Sequence, residues 1–367
     1  MTTPASSIRC HCGAVTQEVK FRQSAALTLC HCQSCRHISG VLCTSYFPVD
    51  GFLVSNNVRS YSCSAQLTKY FCAVCGCHVA QARKGDQGTE DWGVATGTIT
   101  RLGESESGTF ASHRHVEDTR DGGIARFVEF SSQDPGQNTS STSDNSLRRE
   151  LEHSQPANEE EDTLDASCLC GRVNFFITRP DAKSHEPSRP MPDLTHPEKT
   201  TPPAVKSNPS DLKWWIRGNG CKYLAGTCAC QSCRLISGFD IQTWAFVPRW
   251  NIVFRVSGPD NVVYPLDFDA LPTNILQTYA SSPGARRDFC GTCGATVFWR
   301  EVSQPDVVDV SVGLLRAREG ARAEAWLEWW TDRVSYSEEV GTGREGLVIN
   351  MASDLIKSLE KGLQASK

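Results

Sequence analysis

A three-thiol cluster written twice constrains this chain more than any other feature. Cys30-His31-Cys32-Gln33-Ser34-Cys35-Arg36-His37-Ile38-Ser39-Gly40 returns as Cys228-Ala229-Cys230-Gln231-Ser232-Cys233-Arg234-Leu235-Ile236-Ser237-Gly238. A CxCG element precedes each copy, Cys10-His11-Cys12-Gly13 and Cys168-Leu169-Cys170-Gly171. An FCxxCG element follows each, Phe71-Cys72-Ala73-Val74-Cys75-Gly76 and Phe289-Cys290-Gly291-Thr292-Cys293-Gly294. Seven cysteines therefore recur in one order in each half, and three separate motifs do not repeat in series by chance. At 367 residues the chain has the length for two such domains, each able to bury a core.

Net charge is -5 with no basic block, which argues against a nucleic-acid partner, since that affinity comes from clustered Lys and Arg. No run is long enough to span a membrane and no apolar leader precedes Cys10, so the expected partners exclude a membrane and the expected compartment is the cytoplasm, with the nucleus as alternative. Eighteen cysteines in a reducing compartment point to metal ligation or thiol chemistry rather than to disulfides.

Short runs rich in Val, Thr, Tyr and Phe, punctuated by Gly, Pro and Cys, predict strands and an all-β, mainly β fold. In the first unit they are Ala14 to Phe21, Val41 to Val49, Phe52 to Val54, Val94 to Thr100 and Ile124 to Phe130, with no amphipathic helix between them. The expected organisation is a first zinc domain over 8–130, a disordered acidic and polar linker over 131–165, a second zinc domain over 166–340, and a helical tail over 341–367. An insertion over 179–212 holds eight of the eighteen prolines and reads as an extended surface loop. The aromatic segment Ala325 to Trp330 reads as core or inter-domain packing. In the tail, Leu347, Met351, Leu355, Ile356, Leu359 and Leu363 fall at helical spacing, and the helix is expected to pack on the second unit.

Residues i and i+2 of a strand share a face, so each CxC can offer two sulfurs to one metal, and each CxxCG turn brings two more together. Cys10, Cys12, Cys72 and Cys75 then make one closed four-thiolate zinc site, and Cys168, Cys170, Cys290 and Cys293 another. The central clusters, Cys30, Cys32 and Cys35 and Cys228, Cys230 and Cys233, supply three sulfurs each. Such a cluster either keeps a fourth zinc position open for a substrate thiolate or closes on a fourth protein ligand. Candidate fourth ligands are His31, His37, Cys43, Cys63, Cys77 and His78 in the first half and Cys221 in the second; the sets do not match, which favours the open site. Arg36 and Arg234 are candidates to offset the added negative charge or to bind a substrate carboxylate, against two solvated arginines.

The order CxCG, then CxCxxCR with a Gly four residues beyond the Arg, then FCxxCG, resembles the glutathione-dependent formaldehyde-activating enzymes, a family that includes centromere protein V. The resemblance covers both units. It implies tandem β-tent zinc domains, two zinc ions per domain and four per chain, and glutathione binding near the three-cysteine zinc. It also implies carbon–sulfur lyase activity, the reversible joining of glutathione and formaldehyde. His113-Arg114-His115-Val116-Glu117-Asp118-Thr119 resembles the family's late histidine-containing stretch, where the second half offers Trp326 to Asp332; in themselves His113 and His115 read as surface histidines before general bases.

The expected function is thus a zinc-dependent lyase acting on a thiol and an aldehyde, its two domains packed as an intramolecular pseudo-dimer. A non-catalytic zinc scaffold is the chief alternative, and a thiol-redox or metal-buffering protein the next.

Overall fold

The computed structural model describes residues 5–22, 24–85, 88–103, 106–130, 162–256 and 262–367. The protein is mostly β, as expected. The first half is built on a five-stranded antiparallel sheet in the order Tyr46–Val49, Glu90–Ala95, His78–Lys84, Leu67–Cys72, Val58–Ser62. The second half repeats that path as Gln242–Pro248, Val307–Ser311, Thr296–Glu301, Ala285–Phe289, Gln277–Ser282. A smaller sheet carries each CxCG element: Ser7–Arg9 between Thr16–Glu18 and Ile99–Arg101 in the first half, Thr163–Ser167 beside Asn174–Thr178 in the second. In each half the strand that ends in the first cluster cysteine pairs with a late strand in parallel, Ala25–Cys30 with Gly108–Arg114 and Lys222–Cys228 with Leu327–Trp329.

Several local expectations are corrected. A seven-residue helix begins inside each cluster and contains its third cysteine, Gln33–Ser39 and Gln231–Ser237, where no helix was expected in the first unit. Cys32 and Cys230 cap them, each sulfur accepting from the amide three residues on, and Gly40 and Gly238 end them in the left-handed conformation at φ 83° and 77°. The run Ile124 to Phe130 begins in a 3-10 helix, Gly123–Phe127, and Phe52 to Val54 forms no strand. Most of the expected linker, 131–161, lies outside the described residues, and its last residues already belong to the strand Thr163–Ser167.

The proline-rich insertion is largely exposed, as a surface loop would be, but it is anchored by a buried stretch around residues 189–194. Met191 and Leu194 are buried with Trp214, Trp215, Trp244 and Phe246, and Asp193 accepts from the Ser335 hydroxyl at 2.7 Å and the Tyr336 amide at 2.9 Å. The aromatic segment packs as expected: Trp326 is buried in the main core, and the Arg179 guanidinium stacks 3.6 Å from its ring. The C-terminal helix forms over Leu347–Gln364, but it lies chiefly on the first half rather than the second. Val348 and Met351 enter the first-half core, and Gly362 sits against the Phe127 backbone. Its apolar stripe predicted burial without saying against which surface.

The halves meet through reciprocal contacts. His11 N donates to Leu235 O at 3.2 Å and Leu169 N to His37 O at 2.9 Å; Gly76 faces the Phe289 ring and Gly294 the Phe71 ring. One core runs through both, joining Leu29, Ile38 and Val41 to Phe239, Ile241 and Val312. Among the described residues no helix is long and apolar enough to cross a membrane.

Candidate metal centres

Cys10 and Cys12 converge in the turn that follows the strand Ser7–Arg9, not on one face of a strand as their spacing suggested, and the hairpin between Leu67–Cys72 and His78–Lys84 delivers Cys72 and Cys75. Their four sulfurs lie within 4.8 Å of one another, with Cys10 to Cys12 at 3.5 Å and Cys12 to Cys72 at 3.6 Å. Cys168, Cys170, Cys290 and Cys293 make the equivalent group, with separations of 3.4 Å and 3.5 Å. A tetrahedral zinc with bonds of about 2.3 Å sets its sulfurs about 3.8 Å apart, so both groups fit that ion. The Val15 and Val173 amides donate to Cys10 Sγ and Cys168 Sγ at 3.3 Å and 3.4 Å. None of the chain's cysteines is in a disulfide.

Each three-cysteine group also gathers within 4.8 Å, Cys30 with Cys32 and Cys35, and Cys228 with Cys230 and Cys233. None of the candidate fourth ligands joins either group among the described residues. Cys35 is pulled well below the usual thiol range by hydrogen bonds from Cys30 and Cys32 and, against burial, by the charge of Lys69. Cys233 is lowered in the same way, with Arg287 in the role of Lys69.

Those two cations escaped the sequence reading. Each stands three residues before its CxxC, on the inner face of a strand, and each is buried, at 1% and 3% exposure. Burial opposes their charge, but the cluster thiolates outweigh it and raise both. Lys69 donates to Gln81 Oε1 at 2.8 Å and lies 3.8 Å from the Tyr46 ring centre; Arg287 donates to Cys233 Sγ at 3.5 Å and Ser232 Oγ at 2.9 Å. Three thiolates on a divalent ion carry a net charge of -1, and one buried cation brings the cluster to neutrality. A buried Lys or Arg spaced three residues before a CxxC is the signal that could have found them.

The model of the glutathione-dependent formaldehyde-activating enzymes matches residues 5–114 and 217–333. The chain belongs to the GFA family. Among curated proteins, none matches it.

The other candidates of this GFA chain are placed as follows. Arg36 and Arg234 are buried, not solvated: Arg36 donates to His31 O and Asp118 O, each at 3.2 Å, and Arg234 to Gly97 O at 2.5 Å and Thr342 O at 2.9 Å. His113 is no free surface histidine. Its Nε2 bonds Val128 O at 3.0 Å and its Nδ1 bonds His31 Nε2 at 2.9 Å, so the first pair fixes the tautomer and His31 donates to His113. Burial, then His113, lowers His31 to about 3, and the pair stays neutral. His115 is exposed beside Glu117 at 3.6 Å.

The late stretch of the second half is shifted from where the sequence placed it. Arg114 O accepts from His31 N and Ser335 O from Ala229 N, both at 2.9 Å, so Val334 and Tyr336 answer to His113 and His115, not Trp326 to Asp332. His115 and Tyr336 share the left-handed conformation at φ 58° and 53°. The clusters also differ in their surroundings. Cys30 and Cys32 are half-buried, whereas Cys228, Cys230 and Cys233 lie in an aromatic cluster with Trp244, Trp299 and Tyr336. His11 reaches across to the second cluster, bonding Ser232 Oγ at 3.1 Å and Tyr279 OH at 2.9 Å; its counterpart, Leu169, cannot.

Proposed function

We propose that the protein is a zinc-dependent carbon–sulfur lyase that reversibly joins a thiol, glutathione, to an aldehyde, formaldehyde, at a three-cysteine site. The observation that carries this reading is a sulfur triad with a charge-compensating cation and no fourth protein ligand among the described residues. Cys10, Cys12, Cys72 and Cys75, and Cys168, Cys170, Cys290 and Cys293, hold structural zinc. Cys30, Cys32 and Cys35, and Cys228, Cys230 and Cys233, hold the other two of four ions per chain. The halves act as an intramolecular pseudo-dimer, supported by the reciprocal contacts between them, and eighteen free thiols suit a reducing compartment such as the cytoplasm.

Cys30, Cys32 and Cys35, or Cys228, Cys230 and Cys233, would hold a zinc ion, which would supply Lewis-acid chemistry that favours ionisation of a substrate thiol at neutral pH. The chain's own part is positional and electrostatic. Cys32 is locked by its cap to the cluster helix, and Arg36 ties that helix to His31 O and Asp118 O, fixing where the sulfurs point. Hydrogen bonds from Cys30 and Cys32, and then the charge of Lys69, favour the ionised form of Cys35. In the forward direction the substrate sulfur's electron pair forms the bond to the aldehyde carbon, the carbonyl π pair moves to oxygen, and oxygen takes a proton from solvent. The reverse direction returns the same proton and pair.

The test is a titration of the cobalt-substituted protein with glutathione. A change in the thiolate-to-cobalt absorption is expected, lost in the Cys32→Ser, Cys230→Ser double variant. A spectrum indifferent to glutathione would favour the non-catalytic zinc scaffold.

A further inference from the structure

In the first half, the sheet face that carries Lys69 opens into a cavity of about 240 Å³, lined by Arg22, Tyr46, Pro48, Gln81, Arg83 and Asp91 among others. Tyr46 and Gln81 also hold Lys69, the cation whose charge acts on Cys35. Strand register assigns Trp244, Phe246, Trp299, Glu301 and Val307 to the positions that Tyr46, Pro48, Gln81, Arg83 and Asp91 occupy. There the space is filled. Met191 and Leu194 share one apolar cluster with Trp244, Phe246, Trp299 and Val307 and with Cys228 and Cys233. Arg189 donates to Val307 O at 2.9 Å and pairs with Glu301 at 3.6 Å.

We propose that residues 189–194 of the insertion are a built-in occupant of the second half's substrate face, and that the first half alone takes the thiol substrate, with Arg83 and Arg22 receiving its carboxylates. This rests on the thiol–aldehyde reading of the three-cysteine site.

The charges at the two faces support the assignment. Glu301 is met by a cation from the insertion, whereas the same position in the first half is Arg83, exposed and without an ion pair among the described residues. Arg22 is held by Asp91 at 3.1 Å, so two guanidinium groups and one carboxylate leave the cavity net positive. Glutathione, with two carboxylates and one ammonium at neutral pH, is net negative. Its length suits the site as well. Lys69 and Gln81 face each other across one strand spacing, about 4.8 Å, and an extended tripeptide reaches about 10 Å. Arg83 stands two residues beyond Gln81 on the same strand, about 6.8 Å along it, so a carboxylate at Arg83 leaves room for the thiol to extend over Lys69.

The experiment is calorimetric titration of the zinc-loaded full chain with glutathione. One molecule per chain is expected, weakened at least tenfold by Arg83→Glu and retained by Arg83→Lys; Arg83 is exposed, so neither variant disturbs the core. Two molecules per chain, or one whose affinity ignores Arg83→Glu, would overturn the assignment. Catalysed formaldehyde–glutathione exchange, measured in parallel, separates this from the underlying reading. Binding at Arg83 without exchange keeps the assignment and removes the lyase. Exchange that vanishes in Cys230→Ser but survives Cys32→Ser overturns the assignment and keeps the lyase.

Discussion

The Gly313 amide donates to the Gly40 carbonyl at 3.1 Å, and the symmetric bond, Gly97 to Gly238, measures 3.0 Å. Each joins the end of one half's cluster helix to the 3-10 turn of the other. A Cβ on Gly40 would stand 2.3 Å from Thr296 O, and one on Gly238 2.1 Å from His78 O. Gly238→Ala should cost about 1–2 kcal/mol for the left-handed conformation and about 1–3 kcal/mol for overpacking. Thermal unfolding checks this, and a single cooperative transition is expected for the wild type. Two separate transitions would show that the halves fold independently.

A second crosslink is ionic. Arg344, from the segment leading into the C-terminal helix, pairs with Asp240 of the second half at 2.5 Å, both side chains fully buried. Thr96 of the first half donates to the same carboxylate at 3.0 Å. Removing one partner strands the other charge, so Arg344→Met should cost about 3–5 kcal/mol. Arg344→Met with Asp240→Asn should recover part of that loss in chemical denaturation. Equal stability of the wild type and Arg344→Met would contradict the pairing.

Lys69 and Arg287 neutralise the two triads, which gives each a measurable effect on its metal. Lys69→Met should weaken zinc at the first triad about 10- to 100-fold, the range for outer partners of metal ligands. Arg287→Met should do the same at the second, leaving the other three ions of each variant held as in the wild type. Competition with a chromophoric chelator reads this directly. Unchanged affinity in both would remove the cations from the metal sites.

The cysteine motifs carried the two halves and the four sulfur groups into view because thiol spacing on strands and turns is set by local geometry. The cluster helices were hidden, since Cys32 and Cys230 cap them with sulfur, where a Ser, Thr, Asp or Asn would have marked the start. The insertion misled because proline-rich chain reads as loop, and Met191 and Leu194 have no periodicity to announce burial. Trp326 to Asp332 was assigned to the late stretch by position, whereas the hydrogen bonds of Ala229 place Ser335 there. Lys69 drew no reading at all because Cys35, on which its charge acts, is distant in sequence.

The measurement that bears most directly on the proposed lyase is formaldehyde–glutathione exchange by two-dimensional exchange NMR, on the zinc-loaded wild type and the Cys32→Ser, Cys230→Ser and double variants, each first shown to be folded with its four-cysteine sites filled. The wild type should accelerate exchange, Cys230→Ser should retain that acceleration, and Cys32→Ser and the double variant should return it to the uncatalysed rate. No acceleration by the wild type, or acceleration that survives in the double variant, would contradict catalysis at the three-cysteine sites.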